Sequence, residues 1–306
     1  MSNLNPLVTA SRLVIVAGKG GVGKTTVTAV LARAAVDSGR RVLVVELDGK
    51  PMLADLLADV EVRHIAAAEA LDEYLQDHGF RRIARRLAAS GVIDVIGTAA
   101  PGIDDLVVLG KIKHLERSGE WDLIVVDGPA AGHAITFLTS ASGLLDAARG
   151  GPVHTQAVEV LEMLRDPARC QVVLVTLPET TPVNELIETS FAIEDRVGVQ
   201  LGPIVVNQVD AGPALPDPDT IDLADLGAVD DAEHAVEAAR FRNARRTIQA
   251  AELARLSEAV PLPQIHLPAH PAAALAADEI AALAAAMTDH AAADPPDEPS
   301  TPGRDT

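Results

Sequence analysis

The stretch Ala17-Gly18-Lys19-Gly20-Gly21-Val22-Gly23-Lys24-Thr25-Thr26 constrains this chain more than any other. It follows an apolar run, residues 13–16 (LVIV), that reads as a buried strand. It precedes residues 27–36, whose small and apolar side chains read as a helix ending at Gly39. Strand, glycine-rich turn and helix, in that order, form the setting a phosphate-binding loop requires, and the spacing from Gly18 through Gly23-Lys24-Thr25 matches G-x-x-x-x-G-K-[ST]. Glycines let backbone N–H groups turn inward around an anion, and the helix N-terminus adds its positive end. In such a loop Lys24 reaches the β- and γ-phosphates and the Thr25 hydroxyl ligates Mg²⁺. A chance glycine-rich turn would lack the flanking strand and helix. The chain is expected to bind a nucleoside triphosphate.

The rest of the sequence alternates buried strands with helices. Residues 41–46 (RVLVVE) read as a second strand, ending at Leu47-Asp48-Gly49-Lys50-Pro51. From 52 to about 118 the apolar residues take helical spacing, broken at Gly79, Gly91 and Pro101-Gly102, which predicts a helical insertion rather than sheet. Residues 123–127 (LIVVD), 172–177, 203–207 and 264–267 read as further strands. Helices are expected over 132–148, 155–165, 182–197, 230–259 and 272–287, with a surface loop over 210–225. This pattern predicts an α/β fold: a mostly parallel sheet of the P-loop NTPase kind, covered by helices on both faces, with an inserted helical subdomain. One domain over 1–288 is expected, followed by a disordered Pro/Asp/Ala-rich tail over 289–306.

Composition narrows the partners. A formal net charge of -19 argues against DNA or an anionic membrane surface. No apolar run is long enough to span a bilayer and no leader-like segment opens the chain, so the expected location is the cytoplasm. The single cysteine, Cys170, cannot alone hold zinc or an iron–sulfur cluster, and its place beside an apolar strand reads as a buried structural thiol.

Parallel sheets bind ligands at the carboxyl ends of their strands. Asp127 closes an apolar strand there in the Walker B manner, suited to holding Mg²⁺; the alternative is a cap on the next helix.

Lys19, directly after the first glycine, gives the loop the deviant form GKGGxGK[ST]. The chain thereby resembles the dimeric ATPases that include the MinD, ParA, nitrogenase iron protein and ArsA/Get groups. In those families this lysine reaches across a dimer interface to the partner's nucleotide, whereas a lone Lys19 would read as a solvated loop charge. The ArsA/Get group is matched further. The segment Asp127-Gly128-Pro129-Ala130-Ala131-Gly132-His133 resembles its DTAPTGH switch, with Gly128 and Ala131 in place of two threonines and the Ala-Pro pair reversed. The resemblance gives Asp48, the one residue kept from the family's DPAH switch, duty toward the attacking water and the metal; as a loop residue it could instead cap the helix from Met52. Pro101-Gly102-Ile103-Asp104-Asp105 is similar to the family's PGIDE, and Pro178-Glu179 to its PET segment. Val205-Val206-Asn207-Gln208 is similar to VVNQ, whose asparagine bonds the adenine, although Asn207 could also be a turn residue.

The resemblance implies a Mg²⁺-dependent ATPase with nucleotide sites at a dimer interface. Gly18, Lys19, Gly20, Gly21, Val22, Gly23, Lys24, Thr25 and Thr26 would cradle the phosphates, Asn207 would meet the base, and Thr25, Asp48 and Asp127 would serve the metal. Asp48, Lys19 and Lys24 would carry the chemistry. Partners are expected to be a second copy or a paralogue, plus a client or membrane protein, with no nucleic acid and no direct membrane insertion. Neither an arsenite cysteine triad nor a zinc CxxC is present, and methionine occurs only at 1, 52, 163 and 287. Two alternatives stand: a weakly hydrolysing subunit beside an active paralogue, and a ParA/MinD-type positioning ATPase. The second would need a basic face or an amphipathic terminal helix, whereas residues 272–287 carry Asp278 and Glu279 and no cation.

Overall fold

In the computed structural model of the chain, residues 11–47, 52–77, 102–213, 215, 232–271 and 274–293 are described. Their strands are β1 (Leu13–Gly18), β2 (Val42–Glu46), β3 (Glu61–His64), β4 (Leu123–Ala130), β5 (Cys170–Thr176), β6 (Gln200–Leu201), β7 (Ile204–Val209) and β8 (Gln264–Pro268). The helices are α1 (Lys24–Asp37), α2 (Met52–Leu56), α3 (Ala67–Asp77), α4 (Ile103–Ser118), α5 (Ala131–Ala147), α6 (Pro152–Arg165), α7 (Thr180–Arg196), α8 (Ala232–Ala259) and α9 (Ala277–Ala293).

The strands form one parallel sheet in the order β3-β2-β4-β1-β5-β7-β8, with β6 added beside β5. Each crossover carries a helix onto a face, so the central strands are apolar on both sides rather than alternating with polar residues. In β1, Leu13 and Ile15 face α4–α7, among Leu109, Leu138, Leu164 and Leu186. Val14 and Val16 face α1 and α9, among Val30, Ile280 and Met287. Full burial of each such side chain contributes about 1.5–3 kcal/mol. The apolar side of α9 is therefore covered by the sheet and α1, and among the described residues no helix is long and apolar enough to cross a membrane.

Several boundaries differ from the sequence expectation. Glu61–His64 is a strand inside the stretch expected to be helical. At the sheet edge Val62 and Arg63 are half-buried and Glu61 and His64 exposed, with Val62 the one aliphatic among them, so no apolar run announces the strand; pairing with β2 decides it. Arg63 also lies over the Trp121 ring, 5.7 Å from its centre. β4 runs past Asp127 to Ala130, and β6 was not expected at all. Helix α9 continues beyond Met287 to Ala293, so the expected disordered tail begins inside a helix; 294–306 lie outside the described residues. The expected loop over 210–225 and the insertion between 78 and 101 fall largely outside them too.

One buried ion pair locks the amino end of the sheet. The Glu116 side chain, 2 % exposed on α4, accepts from Arg169 Nη2 at 2.6 Å, just before β5. Arg12 approaches to 3.7 Å but is 64 % exposed and adds little. Arg169→Ala would leave a buried carboxylate without its cation, and about 3 kcal/mol of stability should be lost. Urea denaturation checks this: a loss below about 0.5 kcal/mol would place the pair with weak surface bridges.

Candidate nucleotide site

Gly18 ends β1 at the carboxyl edge of the sheet, where β4 and β5 flank it on both sides. A Cβ there would overlap the carbonyl oxygen of Val175 and lie 3.2 Å from Val22 Cγ2, so the strand can turn only on glycine. Gly23 caps α1 with φ of 91°, in the left-handed region, and a Cβ on it would collide with Asn207 Nδ2. Gly20 and Gly21 are exposed, with open space beside them, and Val22 anchors the loop by burying its side chain under α1. The outcome is a loop pinned at both ends with its middle facing solvent.

Lys24, Thr25 and Thr26 form the first turn of α1 and are half-buried. Lys24 Nζ donates to the Lys19 carbonyl at 3.2 Å, which holds the ammonium over its own loop. The Thr25 hydroxyl donates to Asp127 Oδ2 at 2.8 Å, and Thr28 donates to Oδ1 at 3.4 Å. Asp127 is thus brought to the loop across about one hundred residues of sequence. Hydroxyl and carboxylate oxygens together are the hard donors that Mg²⁺ prefers, so these residues fit that cation. Among the described residues no group of three or more His, Cys, Asp or Glu side chains could hold a metal unaided.

Asn207 is buried, 4 % exposed, and its two ends are engaged within the chain: Nδ2 donates to the Val22 carbonyl at 2.9 Å, and Oδ1 accepts from the Gln208 N–H at 3.0 Å. It braces the phosphate loop. Gln208 beside it has φ of 58°, the one positive-φ non-glycine residue among those described. Just past the end of β7 stands Asp210, which Arg242 of α8 grips at 2.7 and 2.8 Å. That grip holds the Asp210 carboxyl down at about 2, the Arg242 hydrogen bond being the main cause.

Lys19 does not stand free. Its ammonium pairs with the Glu185 carboxylate of α7 in the same chain. His133 is exposed in the first turn of α5. Burial pushes the carboxyl of Asp105, in the first turn of α4, upward, against an opposing pull from His133. Gly128 is confined because a Cβ would meet the Val16 carbonyl oxygen on β1, which leaves no room for the threonine side chain of the resembled switch. Cys170 lies at the other end of the sheet, fully buried, and burial pushes its thiol pKa far up. Asp48 lies outside the described residues.

Comparison with known proteins agrees with this geometry. The chain matches the anion-transporting ATPase family (ArsA ATPase) over residues 11–146. It is 33% identical over 302 residues to the ATPase BagA of Mycobacterium tuberculosis, an alignment covering 84% of this chain and 87% of that protein. The chain belongs to the ArsA-type ATPase family. More distant members include a putative arsenical pump-driving ATPase of Halobacterium salinarum, 27% identical across 65% of this chain and 36% of its own length. An arsenical pump-driving ATPase of Escherichia coli is 27% identical across 64% and 34%. As an ArsA-type protein the chain is a nucleotide-binding ATPase.

Sequence reasoning passed over Glu46, Thr28 and Glu185, each of which meets or neighbours this site. The signal for Glu46 was present: it is the one acid inside RVLVVE, at the carboxyl end of a strand otherwise apolar after Arg41.

Proposed function

We propose that this ArsA-type ATPase is a cytoplasmic, Mg²⁺-dependent, ATP-driven switch whose nucleotide sites lie at a dimer interface. The observation that carries the reading is the Thr25–Asp127 contact of 2.8 Å directly beneath the phosphate loop. It joins a hydroxyl and a carboxylate at the carboxyl edge of the sheet, one residue along the helix from Lys24, and these are groups a metal-bound triphosphate would use. When bound, Mg²⁺ would neutralise charge on the β- and γ-phosphates. Around it the Gly18–Gly23 backbone would donate N–H groups, Lys24 would meet terminal phosphate oxygens, and Asp48 would orient and accept a proton from water. Lys19 would serve the partner's site. Segments after Asp48 and Asp127 would pass the loss of γ-phosphate to the helices from Met52 to Ser118 and to an unidentified client protein.

The reading is tested by phosphate release and sedimentation on the purified protein. Turnover that requires Mg²⁺, is abolished by chelator, and accompanies a shift toward dimer with ATP but not ADP is expected. Metal-independent turnover by a strict monomer would overturn it. A second reading, slow turnover awaiting a paralogue or client, is favoured by the in-chain Lys19–Glu185 pair. It expects near-zero basal rate with intact ATP binding.

A further inference from the structure

Adjacent to Asp127 stands a second carboxylate that the site described so far does not use. β2 and β4 pair in parallel with Glu46 directly opposite Asp127. Neighbouring strands lie about 4.8 Å apart, so the two residues rise side by side. Their side chains also share a face. Val42 and Val44 of β2 pack into the cluster under α1, as do Leu123 and Val125 of β4. Alternation along each strand then directs Glu46 and Asp127 to that same side. This is the side from which Thr25 and Thr28 reach Asp127.

Glu46 is 7 % exposed. Its backbone oxygen is used, by the Ile65 N–H at 3.0 Å and by His64 Nδ1 at 3.1 Å. Among the described residues no hydrogen bond or ion pair reaches its carboxylate. Two carboxylates set side by side on one face of the sheet concentrate oxygen acceptors of the kind a divalent cation and its waters use. A core position filled for packing alone would be served at lower cost by the valines that occupy the rest of the strand. A cation between the pair and the phosphate loop would offset the negative charge that the two strands bring together there.

We infer that Glu46 is the second carboxylate of the metal site, a positioning residue that accepts hydrogen bonds from water on the divalent cation beside Asp127. The inference rests on the Mg²⁺–nucleotide reading and deepens it. Mg²⁺ keeps several of its waters when bound, and oxygen acceptors one layer out orient them.

The test is Mn²⁺ binding, followed by electron paramagnetic resonance, to the protein carrying a non-hydrolysable ATP analogue, with analogue affinity in EDTA measured separately. For Glu46→Gln, analogue affinity without metal should stay within about twofold, while Mn²⁺ affinity falls about 10–100-fold, the range typical of lost outer-layer partners. Glu46→Asp should lie between Gln and wild type, and it carries the test alone if the Gln variant does not fold. Mn²⁺ affinity within about twofold of wild type in a folded variant that still binds the analogue overturns the role of Glu46 and leaves the nucleotide reading standing. Failure of the wild-type protein to bind the analogue at all overturns both.

Discussion

Lys24→Ala should lose ATP binding while keeping its fold. Lys24 opens α1, and its ammonium already lies over the phosphate loop, held at 3.2 Å by the Lys19 carbonyl. With a triphosphate bound it would turn to anionic phosphate oxygens. Charge-assisted hydrogen bonds contribute about 1.5–3 kcal/mol each, so losing two weakens binding by about 10²–10⁴-fold. Stability without nucleotide should barely change, because the side chain is half-buried at a loop and fills no core cavity. Isothermal titration with ATP, paired with thermal denaturation of the free protein, separates the two effects. Near-native affinity in a folded Lys24→Ala protein would remove the phosphate-loop assignment.

Lys19→Ala should bind ATP through Lys24 yet turn it over about 10³-fold more slowly and dimerise weakly. A cation delivered across an interface to a transferring phosphoryl group has that order of effect. The pairing with Glu185 does not stand against it. Both side chains are about one-third exposed, at 32 % and 40 %, and such a pair contributes less than about 1 kcal/mol. A triphosphate held by the other subunit offers several charges in place of one, so exchange is favourable. Mixing Lys19→Ala with Asp48→Asn subunits sharpens the test. One composite site of the mixed dimer would hold both defects and the other neither, so turnover should recover in part. If subunit exchange is demonstrated and no activity returns, Lys19 does not act in trans. Glu185→Ala should release Lys19 without impairing ATP binding.

The sequence alone determined the elements whose signal is local. The loop from Gly18 to Thr26 is legible because its glycines, lysine and threonine sit at fixed offsets between a strand and a helix. The central strands are legible because a parallel strand covered on both faces must be apolar throughout. Asp127 was readable as an acid at the carboxyl edge of the sheet because it ends the apolar run of its strand. The family followed from the same residues, Lys19 above all.

Tertiary structure decided whatever depends on a neighbour distant in sequence. Glu61–His64 became a strand because β2 offered an edge, although its own residues carry no apolar run. Asn207 acts on the phosphate loop through a contact spanning 185 residues of sequence, and its residue type could not announce that. The confinement of Gly128 comes from the Val16 carbonyl on the adjacent strand, so the missing threonine is a matter of space as well as of sequence. Lys19 looked like a charge directed outward until Glu185 appeared beside it. Glu46 was only the last letter of a strand until register set it against Asp127, because pairing between parallel strands is a property of the folded sheet and of neither segment alone.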